Sequence, residues 1–394
     1  MTLQNTSVRP GGIPEGESGF RRCTRTVMDT TDPDIVFDAD GVSNWWHFLE
    51  SEKERWSRID REALRQTYLT RIRESGEGRP YDCILGLSGG VDSCYMAYLA
   101  KEWGLRPLVV HFDNGWNDEL AVRNIETVLK HVGFELNTFV MNWPEFRNLQ
   151  RSYFLASVLD QDVPADHMIF GALHEIAMKH RIKHILSGNN FATEGLLPRA
   201  WYYSKFDLRN LYNIHRRFGT LPLKHLPKLG VWHWNYYRKV RDIEDVKILE
   251  LIPYRKLDAK RFLQQEMGWS DYGGKHYESV FTRFYQAYIL PKRYGIDKRK
   301  AHLSNLVSNG ELTRDEALLE LSGPIADPER LLRDKRYVAK KLGWSEAEFE
   351  DILALPPVPH ETYGTDARER RIAEALTNGL RPLGRIVRKF AAVR

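Results

Sequence analysis

The stretch LGLSGGVDSCY, residues 85–95, places two adjacent glycines between an apolar run and a segment with the pattern of a helix. Glycines let successive backbone N–H groups converge on an anion, and a helix beginning near Val91 would add its positive end. A tight strand-to-helix turn is the simpler interpretation of Ser-Gly-Gly alone. Because the whole S-G-G-V-D-S motif follows a buried strand, we expect residues 88–93 to bind a phosphate-sized anion.

The motif differs from the two commonest nucleotide-binding signatures. It has neither the G-x-x-x-x-G-K-[ST] form of a P-loop kinase nor the G-x-G-x-x-G form of a dinucleotide-binding enzyme. Neither of these classes of enzyme is therefore predicted.

Short apolar runs alternate with amphipathic segments around this motif. The predicted strands lie at 83–87, 107–112, 134–141 and 183–188. The alternation is typical of an α/β protein with a doubly wound parallel sheet that helices cover on both faces. Ligands of such sheets bind at the carboxyl ends of the strands. Ser88, Asp113 and residues 187–189 all follow predicted strands, so we expect them to meet at one edge of the sheet.

The composition narrows the class of protein. Three cysteines are too few, and odd in number, for a disulfide framework, which favours a reducing cytoplasm. No apolar run approaches the roughly 18–20 residues that span a bilayer, and the N-terminus has no apolar signal core. A net charge of +5 suits an anionic substrate but gives weak support for a nucleic-acid partner. We expect a cytoplasmic protein without a membrane partner.

The SGGVDS motif resembles the pyrophosphate-loop (PP-loop) signature of the ATP pyrophosphatases. This superfamily includes asparagine synthetase, GMP synthetase, NAD synthetase and tRNA-thiolating enzymes, which split ATP between its α- and β-phosphates and adenylate an oxygen. The resemblance implies a Rossmann-like fold that uses ATP and Mg²⁺, with Asp92 helping to place the metal. It assigns to ATP the residues Leu87, Ser88, Gly89, Gly90, Val91, Asp92, Ser93, Phe112, Asp113, Gly188 and Asn189.

Three longer segments resemble the N-acetyl sugar amidotransferases, which make acetamidino sugars for O-antigen and other surface polysaccharides. They are VMDTTDPDIVFDADGV (27–42), SGNNFATEG (187–195) and GGKHYESVFTRFYQAYILPKRYGIDKRKAHLS (273–304). The resemblance implies that an acetamido oxygen of a nucleotide-linked sugar attacks the α-phosphorus of ATP and expels pyrophosphate. Ammonia then attacks the resulting imidate and AMP leaves, so the enzyme would be an AMP-forming carbon–nitrogen ligase.

The resemblance also suggests residues for the substrates. Lys275, which follows two glycines, is the expected catalytic partner of Asp92. Arg283, Lys292 and Arg293 are candidates for phosphates or for the sugar nucleotide, although basic runs often form a solvated surface. Glu194 and Asn189 would orient ATP or metal, or else cap a loop.

The N-terminal part departs from the family. The amidotransferases usually carry two C-x-x-C pairs in a zinc-binding pattern. Here these places hold Cys23-Thr24-Arg25-Thr26 and Ser43-Asn44-Trp45-Trp46, so three of four ligands are absent. One thiolate cannot hold a structural zinc. We predict no zinc, with apolar packing of Trp45 and Trp46 as its replacement.

Four regions are expected along the chain. They are a disordered leader at 1–19, a degenerate zinc-ribbon-like segment and helix at 20–78, the PP-loop domain at 79–250 and a mostly helical, basic region at 251–394.

The source of ammonia follows from the cysteines. Cys83 lies inside a predicted strand, Cys94 lies on the following helix, and residue 2 is threonine, so no cysteine is placed as a glutaminase nucleophile. We predict a separate glutaminase subunit or free ammonia. The many aromatic residues also suit a homo-oligomer or a partner surface.

Two alternatives stay open. A tRNA-modifying PP-loop enzyme, either a thiolase or a lysidine-type synthetase, would explain the basic tail and the aromatic residues. A non-catalytic ATP-binding protein of the same fold would explain the missing zinc cysteines.

Overall fold

The computed structural model describes residues 12–274 and 277–376. Within these two ranges, none of the helices combines the length and the apolar character that crossing a membrane requires.

A five-stranded, all-parallel sheet lies at the centre, with the strand order β3-β2-β1-β4-β5. The strands are β1 (Cys83–Gly86), β2 (Pro107–Asp113), β3 (Leu136–Val140), β4 (His184–Ser187) and β5 (Glu244–Lys247). The chain builds outward from β1 to β3 and then returns to the other side of β1 with β4. The expected doubly wound α/β fold is therefore confirmed, and its topological switch point lies between β1 and β4, where such sheets bind ligands.

Helices surround this sheet and make up most of the rest of the described chain. The helices up to β4 are α1 (Asn44–Ser57), α2 (Arg61–Ser75), α3 (Val91–Glu102), α4 (Glu119–Val132), α5 (Trp143–Ala156) and α6 (Val163–His180). Those after β4 are α7 (Phe191–Glu194), α8 (Leu208–Phe218), α9 (Val231–Asn235), α10 (Lys256–Met267), α11 (Val280–Phe284), α12 (Arg299–Ser308), α13 (Arg314–Ser322), α14 (Pro328–Leu342) and α15 (Glu346–Leu353). Shorter helical turns of 3₁₀ or π type occur at Arg199–Trp201, Tyr236–Val240, Ile248–Leu251, Tyr285–Tyr294 and His360–Tyr363.

The two faces of the sheet bury two separate cores. On β1, Ile84 packs into one core, whereas Cys83 and Leu85 pack into the other. This division follows from the alternation of side chains along a strand. Because strand β1 is buried on both faces, its sequence is a continuous apolar run, and this run made the strand predictable.

Strand β5 was not predicted, for a clear reason. Its sequence Glu-Asp-Val-Lys has one apolar residue, Val246, and only that side chain is buried. The strand pairs with β4 at the edge of the sheet, where its register joins Val246 to Leu186. An edge strand of this kind has no apolar pattern to distinguish it from a loop.

The sequence pattern predicts a single charged helix over residues 50–75 and Asn117 as the cap of α4, and the structure differs in both details. The charged segment at 50–75 is two helices rather than one, because Asp60 interrupts it and accepts a hydrogen bond from the N–H of Ala63 at 3.0 Å. Helix α4 is capped by Asp118, not by Asn117.

Residues 12–19 of the expected leader belong to the described part of the chain. The backbone N–H groups of Gly12 and Ile13 donate to the carbonyls of Thr31 and Thr30 at 2.8 and 2.6 Å. The four-region division itself stays a prediction, and the basic tail from residue 377 onward lies outside the described residues.

Candidate active site

The turn after β1 requires a glycine. Gly89 has a φ of +84°, a conformation that side chains strongly disfavour. A Cβ at this position would also lie 2.4 Å from the carbonyl oxygen of Ala121. Trp269 fixes the turn from the other side, since its indole N–H donates to the Gly89 carbonyl at 2.9 Å. The loop is therefore held in one shape, with its backbone bare.

Helix α3 begins directly after this turn. Gly90 is its N-cap and supplies no side-chain cap, so the first N–H groups of the helix are not covered by a capping side chain. The hydroxyls of Ser88 and Ser93 lie 3.1 Å apart and flank the turn. Such an arrangement of N–H and O–H donors at a helix N-terminus suits a phosphate.

Asp92 is the carboxylate of this loop, and two residues far along the chain hold it. The phenol O–H of Tyr254 donates to Oδ1 of Asp92. The ammonium of Lys256 lies 3.9 Å from Oδ2. Burial and the adjacent carboxylate of Asp92 raise the pKa of Tyr254, so the phenol stays protonated and acts as a donor. One carboxylate beside a phosphate site fits Mg²⁺, which binds proteins through one or two carboxylates and takes its other ligands from phosphates and water.

The end of β2 also faces this region. Nδ1 of His111 lies 3.0 Å from the carbonyl of Leu87, and its Nε2 lies 2.9 Å from Nδ2 of Asn117, which ties the two strand ends together. Phe112 is nearly buried and packs against Phe139. Asp113 accepts a hydrogen bond from the N–H of Gly115 at 2.9 Å, within its own turn.

The end of β4 lies on the other side of β1. A Cβ on Gly188 would sit 3.5 Å from Cβ of Asp92, so the end of β4 is in contact with the start of α3 at the switch point. Asn189 is exposed beside it, and Glu194 is half-buried at the end of α7. The three features expected at one edge of the sheet are thus at one edge.

A wall beside the loop is formed by three residues from the C-terminal half of the chain, Tyr272, Glu278 and Val280. The backbone carbonyl of Glu278 accepts a hydrogen bond from the N–H of Asp118 at 2.8 Å, and the N–H of Val280 donates to the backbone carbonyl of Trp116 at 2.8 Å. The hydroxyl of Tyr272 would lie 3.2 Å from a Cβ on Gly90. Lys275, the expected catalytic lysine, falls between these segments but lies outside the described residues.

The other three expected cations, Arg283, Arg293 and Lys292, contact other residues of the same chain. Arg283 is 3% exposed and forms ion pairs with Asp334 at 2.7 Å and Asp118 at 3.0 Å. Arg293 donates to the hydroxyl of Ser157 and to the Leu355 carbonyl at 2.6 and 2.7 Å.

Lys292 is exposed, and its ammonium donates to the Tyr288 hydroxyl at 3.0 Å. All of these contacts are within the chain, and those of Arg283 hold the wall rather than face the loop. The expected roles of these cations toward phosphates stay predictions.

Tyr254, Trp269 and Tyr272 were not predicted as part of the site. They lie more than 160 residues from the loop that they support, in segments with no recognisable motif. The aromatic residues near the end of α10 were the available signal, but aromatic residues are common in any core.

The segment from Cys23 to Ser43, here called the N-terminal knuckle, is built around the sulfur of Cys23. This sulfur accepts N–H donors from Ser43 at 3.3 Å and from Arg25 and Thr26 at 3.4 Å. Burial alone would raise the pKa of the Cys23 thiol, but these hydrogen bonds outweigh it and lower the pKa. In the described residues, no three His, Cys, Asp or Glu side chains are grouped so that they could hold a metal.

The tryptophans beside the knuckle do not pack together over it. The indole of Trp45 donates to Asp32 at 2.6 Å, and the ring of Trp46 lies 5.5 Å from the ammonium of Lys53. Hydrogen bonds surround the Cys23 sulfur, and Trp45 packs against the hydrophobic core. The replacement of a zinc site by packing of Trp45 and Trp46 stays a prediction.

The remaining cysteines are inert by their surroundings. Cys83 and Cys94 are fully buried, and burial raises the pKa of each thiol far above its usual value. All three cysteines of the chain are free thiols.

One family model and one protein of known function match parts of this chain. Residues 278–377 match the family model described as LPS biosynthesis protein WbpG-like, C-terminal domain. A tRNA-specific 2-thiouridylase, MnmA 2 of Fusobacterium nucleatum, is 23% identical over 305 residues, which are 69% of this chain and 84% of that protein.

Two solved structures are also similar. They are the NH3-dependent NAD synthetase of Campylobacter jejuni in complex with nitrate (13% identity, TM-score 0.31) and the NMN synthetase of Francisella tularensis (14% identity, TM-score 0.32). Each match covers 76% of this chain and 99% of the other. The family model thus describes the C-terminal part of this chain, residues 278–377, and the SGGVDS loop lies in the part before it.

Proposed function

We propose that this protein is an ATP-dependent amidotransferase that converts an acetamido group of a nucleotide-linked sugar to an acetamidino group. The observation that carries the proposal is the bare turn at Gly89 and Gly90, joined to Asp92 and walled by residues of the WbpG-like domain. A loop of this kind suits ATP, and the domain match connects the chain to lipopolysaccharide biosynthesis. We place the reaction in the cytoplasm, where ATP and nucleotide sugars meet.

The proposed chemistry follows from what an amide needs. An amide carbonyl is a poor electrophile, so its oxygen first attacks the α-phosphorus of ATP and pyrophosphate leaves. Ammonia then adds to the imidate carbon, AMP leaves with the former amide oxygen, and one proton is released. Mg²⁺, when bound at Asp92, would offset the charge that develops on the phosphates.

The protein's own residues supply binding and orientation. The N–H groups at the start of α3 and the hydroxyls of Ser88 and Ser93 would bind the phosphates. Tyr254 would hold Asp92 in place through its hydrogen bond. Phe112, Asp113, Gly188 and Asn189 would line the nucleotide, and Lys275 would act beside Asp92.

The state of the cysteines supports an external ammonia source. Cys83 and Cys94 are buried inside the core, and Cys23 is enclosed by N–H donors. None of them is exposed as a glutaminase nucleophile requires. We therefore propose that a separate glutaminase subunit delivers ammonia, or that the protein uses free ammonia.

Similarity to a thiouridylase makes tRNA modification the second candidate. Thiolation requires a reactive sulfur carrier, and the burial of Cys94 argues against that residue in this role. A lysidine-type reaction needs no cysteine and is not weakened by this point. A tRNA-binding enzyme would lose affinity steeply as salt rises.

Mass spectrometry of candidate nucleotide sugars, incubated with ATP, Mg²⁺ and ammonium, tests the proposal. We expect a product lighter by the difference between an oxygen atom and an NH group, together with AMP and pyrophosphate. The Asp92→Asn variant is the matched control and should form no product while keeping its fold. Unchanged sugars together with a modified tRNA would contradict the proposal.

A further inference from the structure

A cavity adjoins the loop on its β4 side. It has a volume of about 240 Å³ and lies between α1, α2, α7 and the segment that leads into α10. Tyr254 lines this cavity and also donates to Asp92, so one side chain separates the cavity from the phosphate loop. Asn190, another lining residue, donates to the carbonyl of Gly188 at 3.1 Å.

The lining of the cavity is positively charged. Lys53, Arg61 and Arg255 contribute three cations and Glu250 one carboxylate. Lys53 also pairs with Glu50 at 2.5 Å, outside the lining, whereas Arg61 forms no ion pair among the described residues. Glu250 is moreover 3.3 Å from the ammonium of Lys247 outside the lining. Excess positive charge in a partly enclosed cavity favours an anionic ligand.

Arg61 is the best placed of these cations. Its guanidinium donates to the Ile252 carbonyl at 3.2 Å and lies 5.5 Å from the centre of the Trp56 ring. Both contacts fix the side chain without neutralising it. Arg255 is likewise held by the Gly310 carbonyl at 3.2 Å, but it also pairs with Asp258 at 3.3 Å.

The position of the cavity distinguishes it from the place expected for adenosine. Of the residues expected to line ATP, Asp113 follows β2, whereas Gly188 and Asn189 follow β4 next to the cavity. We place the adenosine on the β2 side, beside Asp113. These strands flank β1 on opposite sides. A ligand in the cavity would therefore approach the α-phosphorus from the side opposite to adenosine.

We infer that this cavity binds the diphosphate of the nucleotide-linked sugar, with Arg61 and Lys53 as its cationic contacts. The inference rests on the proposed function and assigns a place to its second substrate. A cavity of about 240 Å³ is smaller than the roughly 300–1,000 Å³ of pockets that hold a whole small-molecule ligand. It therefore holds the diphosphate, while the acetamido end of the sugar extends past Tyr254 toward Asp92.

Calorimetric titration of the full chain with UDP-N-acetylglucosamine, UDP and an ATP analogue tests this inference. In Arg61→Gln, we expect the affinity for both uridine ligands to fall about tenfold or more, since a charge-assisted hydrogen bond is lost. The affinity for the ATP analogue should not change. Arg71→Gln, on the same helix but paired with Glu244 at 3.0 Å, is the control and should bind all three ligands normally.

Lys53→Gln provides a second variant in case Arg61→Gln loses its fold, and thermal unfolding of each variant identifies that case. Unchanged uridine-ligand affinity in folded variants would overturn the inference, as would a fall in affinity for the ATP analogue alone. Binding of tRNA, lost in Arg61→Gln, would instead assign the cavity to a nucleic-acid surface and overturn it too.

The two proposals can fail separately. If wild-type protein converts the sugar nucleotide and the folded Arg61 and Lys53 variants bind it normally, only the location of the substrate is wrong. If wild-type protein neither binds nor converts any sugar nucleotide, the proposed function itself is wrong.

Discussion

Tyr254 and Asp92 are 162 residues apart in the chain and are joined by a hydrogen bond between the phenol and the carboxylate. The contact connects the segment before α10 to the loop after β1. It fixes the orientation of the carboxylate expected to place the metal, and it lies between the phosphate loop and the cavity proposed for the sugar nucleotide.

Removing the phenol oxygen should therefore slow the reaction without unfolding the protein. We expect Tyr254→Phe to reduce ATP-dependent pyrophosphate release about 10- to 100-fold, because a hydrogen bond to a charged group is lost. Tyr68→Phe is the matched control, since Tyr68 also donates to a carboxylate, that of Glu244 at 3.2 Å, away from the loop. Equal rates in both variants would show that Asp92 does not depend on Tyr254.

The loop should tolerate no side chain at Gly89. Gly89→Ala combines a φ of +84° with a clash against Ala121, so we expect it to abolish ATP binding and to lower the melting temperature. Gly104→Ala, just after the other end of α3, has a φ of +61° and open space around its Cβ. It should cost about 1 kcal/mol of unfolding free energy and leave ATP binding intact. Isothermal titration and thermal unfolding distinguish the two outcomes.

The N-terminal knuckle should fold without metal. We expect purified protein to contain far less than one zinc per chain by elemental analysis. The triple variant Thr26→Cys, Ser43→Cys, Trp46→Cys restores the four-thiolate pattern and should take up about one zinc per chain. Zinc that accompanies the wild-type protein and disappears in Cys23→Ser would contradict this prediction.

Acid should destabilise the fold through a buried histidine. His360 is stacked on Tyr203 with ring centres 3.9 Å apart, and burial lowers the pKa of His360 to about 3 from 6.5. The unfolded state binds the proton more tightly than the folded state does. The stability that neutral His360 contributes is therefore complete above a pH of about 6.5 and is lost as the pH falls toward 3. The loss by about pH 5 is on the order of 2 kcal/mol.

Thermal unfolding at about pH 7 and about pH 5 measures this dependence. His360→Gln should be less stable than wild type at the higher pH but should lose less on acidification. His167, whose pKa burial lowers to about 4, would leave a residual dependence in the variant. Parallel curves for wild type and variant would contradict the assignment.

The parts of the fold that were predictable are those with a local signal. Strands β1, β2 and β4 are apolar runs because the sheet buries them on both faces, and the SGGVDS turn needs glycine for reasons of its own backbone. Strand β5 has one apolar residue and sits at an edge, so nothing local distinguishes it.

The support of the loop was not predictable, because it depends on contacts between distant segments. The indole of Trp269 meets the Gly89 carbonyl 180 residues away. Nothing local in the sequence shows that Arg283 pairs with Asp334, which lies a further 51 residues along the chain. Sequence identifies which groups are charged, whereas only the tertiary structure shows which charges are already paired.

The ion pairs of Arg283 have a consequence for how this protein can be divided. The guanidinium joins Asp118, at the start of α4, to Asp334, in the WbpG-like domain, and it does so almost without exposure to water. A chain cut before residue 278 would lack the cation that pairs with Asp118. It would also lack Glu278 and Val280, which form part of the wall beside the loop. The two halves therefore make up one cooperative unit, and exchanging either half with a relative would require both ends of this bridge to be transplanted together.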